Sequence, residues 1–245
     1  MRELSYLGEV RAACGDDILV MWVAQGMRPG VRAFAHGDAV AVACPDVSCR
    51  DRLAVRGPVR DAAPLVRHAL TEMGPTYRPI GEAGLIRALP ERVPGLRFAA
   101  QFSLMRTAAA PPRQAAEHDV RWLEPAEEVR VKELLAQAFP ASYARPGVSG
   151  VRRWAGAEDG QGRLAAVTAD AWSAPGTGFI AGVATAPRAR GRGYAAAVFG
   201  FVLADLVAAH GRAALLVDDD NPRAIALYAR LGLSRHPVAA AKLAP

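Results

Sequence analysis

Residues 179–211, FIAGVATAPRARGRGYAAAVFGFVLADLVAAHG, decide how the rest of the chain is read. Phe179 to Thr185 is a short apolar run of strand length, Pro187 to Arg192 is a polar turn, and Gly193 to about Ala209 has the length and apolar content of a buried helix. A strand that turns through Gly191 and Gly193 straight into a long helix gathers free backbone N–H groups and the positive end of a helix dipole at one spot. Such a spot takes an anion. Glycine lets the backbone approach a diphosphate closely, and Arg188, Arg190 and Arg192 add charge that pairs with phosphate oxygens.

Two better-known phosphate loops fit less well. Gly191-Arg192-Gly193-Tyr194-Ala195-Ala196 satisfies the dinucleotide pattern GxGxxG/A, with Asp218 ending the next apolar stretch where a ribose-binding acid belongs. In that fold, however, the first glycine follows its strand directly, whereas seven residues separate Val183 from Gly191 here. Only 27 residues follow Asp218, too few to finish a doubly wound sheet. A Walker loop is excluded because no Gly-Lys-Ser/Thr is present.

Downstream, LLVDDDNPRAIALYARLGL places a capping Asn221 and a preorganising Pro222 at the start of a second helix. Asn221 and Tyr228 are seven residues apart, about two turns, and so share a helix face that can line one groove. Upstream, VRWLEP, Val151 to Trp154 and Leu164 to Trp172 read as strands. Ala126 to Phe139 reads as an amphipathic helix with Val129, Val131, Leu134, Leu135 and Phe139 inward. The tail Leu233 to Leu243 is a further strand, which completes an α/β fold with a mixed sheet and helices on its faces.

These two segments resemble the GNAT superfamily of acyl-CoA N-acyltransferases. Arg190-Gly191-Arg192-Gly193-Tyr194-Ala195 matches the donor motif Q/R-x-x-G-x-G/A. Arg188 to Gly193 fits it in a second register, but the distance from the strand favours Arg190. Asn221, Ala224, Leu227, Tyr228 and Gly232 match the N-x-x-A-x-x-L-Y-x-x-x-G helix pattern. The resemblance spans about residues 119–243. It implies acetyl-CoA as cosubstrate, with its diphosphate on the Arg190 to Ala195 amides and its pantetheine arm against the backbone of Val183 and Thr185. Asn221 would belong to the donor groove, Tyr228 would be the acid that protonates the departing thiolate, and no metal is required. The frequent family glutamate on the strand is missing from FIAGVAT, which leaves the base open between Asp170 and one of Asp218 to Asp220. Tyr143, Trp154 and Trp172 are candidate walls for the acceptor.

The first half is a weaker echo. It reads as the hairpin VRAFA–DAVAVAC turning at His36-Gly37, the strand RLAVR, a helix over Val59 to Met73, the strand TYRPI, a short helix near Leu85 to Leu89 and the strand LRFAAQFSLM. Its corresponding turn has a single glycine, Gly57, followed by Pro58, which has no N–H to give. Arg56 and Arg60 alone would attract phosphate there. The expected organisation is therefore a degenerate GNAT-like domain at 1–106, an Ala/Pro linker at 107–118 and an acetyltransferase domain at 119–245, in tandem, with one acetyl-CoA per chain.

Composition closes off other classes. At 51% hydrophobic and 22% charged residues the 245-residue chain collapses into cores rather than remaining disordered. Its net charge of +6 divides evenly, +3 in each half, with no basic tail, so a nucleic-acid partner is not expected. Cys14, Cys44 and Cys49 form no metal or redox spacing, and the acidic start MRELSYLGEV is unlike a signal peptide. The apolar run Ala195 to Ala204 stops at Asp205, about half a membrane span. A cytoplasmic monomer or homodimer acylating a small-molecule or peptide amine is expected, the alternative being a non-catalytic module that responds to acyl-CoA.

Overall fold

A computed structural model describes residues 1–111 and 118–244. In chain order the elements are β1 (Arg2–Leu4), α1 (Leu7–Cys14), α2 (Ile18–Ala24), β2 (Arg32–His36), β3 (Ala39–Cys44), β4 (Arg52–Arg56), α3 (Val59–Met73), β5 (Arg78–Glu82), α4 (Ala83–Ala88) and β6 (Leu96–Thr107). There follow β7 (Val120–Trp122), α5 (Glu128–Ala138), β8 (Val151–Glu158), β9 (Leu164–Ala171), β10 (Gly178–Thr185), α6 (Tyr194–His210), β11 (Ala213–Asp218), α7 (Pro222–Arg230) and β12 (Ser234–Leu243). Apart from the extra helix α2, the order of strands and helices in the first ten elements recurs in the last nine. No helix among the described residues is long and apolar enough to cross a membrane.

The chain divides into two compact units. One is Met1–Met105 with Leu216–Pro222 and Arg235–Pro245, and the other is Arg106–Leu215 with Arg223–Ser234. The expected domains at 1–106 and 119–245 follow the chain, whereas in these units the last strand lies with the first. The strand β12 pairs antiparallel with β5, Val238 opposite Glu82 and Ala240 opposite Ile80, and its Ala239 and Ala241 join the buried cluster around Leu53, Val66 and Ile86. The expected linker, 107–118, falls mostly outside the described residues.

In the first unit the strands run β1-β2-β3-β4-β5-β12-β6. The helix α3 covers this sheet with Ala62, Leu65, Val66, Ala69 and Leu70. Each large apolar side chain buried this way contributes about 1.5–3 kcal/mol. The sequence reading had no element before the first hairpin, yet α2 is a helix buried along its whole length. A run as uniformly apolar as ILVMWVA has no period from which to tell helix from strand. Asp17, which accepts from Leu19 and Val20 N–H, is the capping signal that marks it.

The second unit orders its strands β11-β10-β9-β8-β7, with β10 and β11 parallel and the rest antiparallel. Buried Val198, Phe199, Val202, Leu203 and Leu206 form the stripe of α6 that packs on β9 and β10. On α5, Val131, Leu134 and Leu135 are buried as expected, but Val129 and Phe139 are exposed. Val129 falls off the stripe set by Val131 and Leu135, and Phe139 lies past the helix end.

Candidate active site

The site begins as a defect in a strand. Between Ala181, opposite Ala169, and Ala184, opposite Val167, β10 inserts Gly182 and Val183 against the single residue Thr168. Gly182 has φ +63°, and a Cβ there would lie 2.7 Å from Trp154 Cζ3. Only glycine satisfies both conditions. On its other side β10 pairs with β11 through Gly178–Ala213 and Phe179–Ala214, and among the described residues no strand pairs with that edge of β10 from Ile180 to Thr185. An open strand edge offers alternating N–H and C=O groups to an extended ligand, and Val183 and Thr185 stand on it.

The same strand leads into the phosphate-type loop. A turn of 3-10 helix, Pro187–Ala189, is followed by Gly191 at φ +76° and Gly193 at φ +83°, and α6 starts at Tyr194. Among the described residues no acceptor meets the N–H groups of Gly191 to Ala195, which leaves these orphan donors at the positive end of a 17-residue helix. Arg190 and Arg192 are exposed there. Arg188 is not available as expected: its Nε bonds Asp159 at 3.1 Å and its Nη2 the Leu164 carbonyl at 2.9 Å.

His118, which the sequence reading passed over, closes one side of this loop. Its Nε2 is 2.7 Å from the Arg192 carbonyl, and its ring stacks on Tyr194 with centroids 3.9 Å apart and planes at 19°.

Tyr228 projects from α7 toward α6, its ring 4.7 Å from that of Phe199. It is buried, and burial pushes its phenol above the ordinary range, so the proton stays on oxygen at all working pH values. The hydroxyl makes no hydrogen bond to another described residue. Asn221, by contrast, is exposed in the 216–222 segment of the first unit.

The structure does not bring Asp170 to the loop. It pairs with Ile180, five residues from Thr185 along β10, roughly 16 Å at the usual strand rise. Its carboxylate accepts from Ser173 Oγ at 2.6 Å and faces Arg153 Nε at 3.4 Å, and Arg153 in turn bonds Asp205 on α6. Asp219 is equally engaged, by Ser103, Gln101 and Arg235, whose hydrogen bonds hold it below the usual carboxylate range. Of the expected acceptor walls, Trp154 and Trp172 are buried and Tyr143 is exposed. Among the described residues no group of His, Cys, Asp or Glu stands where it would hold a metal ion.

At the corresponding turn of the first unit the first turn of α3 already carries an acid, Asp61, which accepts from Asp38 N–H at 3.2 Å. Arg56 is paired with Asp17 at 3.0 Å and Arg60 lies 3.8 Å from Asp61, so neither is left for phosphate as expected.

Solved structures share this fold. A GCN5-related N-acetyltransferase from Kribbella flavida superposes with a TM-score of 0.60 at 17% identity, over 96% of this chain and 95% of that one. An acetyltransferase of the GNAT family from Colwellia psychrerythraea gives 0.56 at 12% over 100% of both, and a GCN5-related N-acetyltransferase from Sphaerobacter thermophilus gives 0.55 at 18% over 84% and 76%. No curated protein sequence matches the chain. The sequence of residues 117–233, which hold the bulged strand, the loop, α6 and Tyr228, matches the acetyltransferase (GNAT) family, and the match implies acyl transfer from an acyl-CoA.

Proposed function

We propose that the second unit binds acetyl-CoA and transfers its acetyl group to a primary amine by direct attack on the thioester. The observation that carries this reading is the unpartnered amide cluster of Gly191 to Ala195 at the start of α6, continuous with the open edge of β10. The diphosphate lies on the cluster, paired by Arg190 and Arg192, and the pantetheine amides extend along Ile180 to Thr185. A neutral amine forms the new C–N bond at the carbonyl carbon, and the oxyanion is met by a backbone N–H of the Gly182–Val183 bulge. As the C–S bond breaks, Tyr228 gives its proton to the sulfur and recovers one from water.

Asp170, tied to Ser173 and Arg153, takes no part. Neither β9 nor β10 offers another carboxylate, so the amine proton leaves through water. The acid in the first turn of α3, Asp61, and Pro58 before that helix, which has no N–H to give, support one donor site per chain and a first half that is a degenerate copy of the second.

Calorimetric titration with acetyl-CoA should give one site per chain, and Gly193→Asp, which sets a carboxylate against the diphosphate, should abolish it. Binding of NAD or DNA without CoA would overturn the reading. CoA release with members of an amine panel establishes the enzyme, while tight CoA binding with no release across the panel points to the acyl-CoA-responsive module instead.

A further inference from the structure

We infer that His118 is a positioning residue for the nucleotide end of the donor site, an inference that rests on the acetyl-CoA reading above. A carbonyl only accepts, so the 2.7 Å contact with Arg192 O requires a proton on His118 Nε2. That bond engages the carbonyl of Arg192, the one residue between the two left-handed glycines, Gly191 and Gly193. A peptide carbonyl turned toward a diphosphate repels it, so holding this one on the imidazole keeps the loop's N–H side for the anion.

The ring stack adds a second restraint. Tyr194 is the first residue of α6, and its N–H is one of the orphan donors. A flat imidazole at 3.9 Å and 19° fixes the Tyr194 side chain over the helix start. The hydrogen bond and the stack thus grip the loop at both sides of Gly193, 74 residues from His118 along the chain. Neither contact involves β10 or Tyr228, where the thioester reacts. His118 therefore acts on the affinity for the diphosphate and nucleotide, not on acyl transfer.

The test uses the full chain, titrated calorimetrically with CoA and, separately, with adenosine 3′-phosphate-5′-diphosphate, the half of CoA that carries the diphosphate. With the loop no longer pre-set by its hydrogen bond and ring stack, both ligands should weaken by about tenfold or more in His118→Ala. The factor should be the same for the two ligands, and the melting temperature of the free protein should fall by a few degrees at most. His118→Phe keeps a ring without the donor, and His118→Gln keeps an N–H without the ring, so each should recover part of the loss. Unchanged affinity in His118→Ala, or a loss seen with CoA but not with its nucleotide half, overturns the inference and leaves the donor reading standing. Wild-type protein that binds neither ligand overturns both.

Discussion

Replacing Gly182 by alanine adds one methyl group at the point where β10 bends. Two costs follow from the geometry. An L-residue at φ +63° costs about 1–2 kcal/mol relative to glycine. The new Cβ also meets Trp154, whose Cζ3 is 2.7 Å away and which is only 2% exposed, so the ring cannot step aside into solvent. Overpacking of this kind costs about 1–3 kcal/mol. The Trp154 Nε1 has no partner among the described residues, so packing alone holds the ring and all of the relief must come from moving it or the strand. The sum, about 2–5 kcal/mol, lowers the melting temperature of a chain of this size by roughly 4–20 °C. Thermal unfolding followed by circular dichroism reads the shift directly. On the proposed reading the Val183 to Thr185 backbone carries the pantetheine arm, so below its melting point the variant should bind acetyl-CoA at least tenfold more weakly. A variant that melts within about 2 °C of wild type, or binds acetyl-CoA as well, refutes the claim that the bulge requires glycine.

Three further outcomes are expected. Tyr228→Phe should leave acetyl-CoA affinity near wild type and lower turnover by about 100-fold. Because burial raises the Tyr228 phenol, wild-type turnover should show no loss from this group between pH 7 and 10, and a descending limb there that vanishes in Tyr228→Phe would contradict the assignment. Glu127, held at about 2 by the Arg121 guanidinium and the Glu124 N–H, supports the fold above its ordinary 4.5 and loses that support as pH falls toward 2. Glu127→Gln should therefore lower the urea midpoint at pH 7 more than at pH 3, and equal effects at both values would count against the ion pair. The isolated segment 119–245 should be insoluble or nearly inactive, since β12 leaves its β5 partner behind, and full activity from that segment would defeat this account.

What the sequence reveals of the site is its local part. Gly191, Gly193 and the helix after them are adjacent in the chain, so the turn and its free N–H groups at the helix start follow from spacing alone. The lone Gly182 within an apolar strand is an ordinary mark of a bulge, a signal the sequence reading passed over. Long-range pairing was not. Arg188 looks like a phosphate ligand until Asp159, 29 residues earlier, takes its guanidinium. Asp170 looks free until Ser173 and Arg153 close on it. His118 carries no signal at all, because both of its partners lie more than 70 residues away. The division into units escaped for a related reason: the strand character of 234–243 is readable, but its pairing with β5 rather than a nearer strand is a property of the tertiary fold.

That pairing also governs the order in which the chain matures at the ribosome. The strand β5 ends at Glu82, and its partner Val238 is made roughly 160 residues later, some 10–30 s at ordinary synthesis rates. Throughout that interval the β5 edge facing β12 has no occupant, and the Ala239 and Ala241 positions in the core beneath α3 stay unfilled. The usual N-to-C sequence of domain completion is thereby inverted. The first unit, though most of it precedes the second, reaches its final form only when Ser234 to Leu243 arrive, and a nascent chain stalled before them presents an apolar strand edge to chaperones and to other nascent chains.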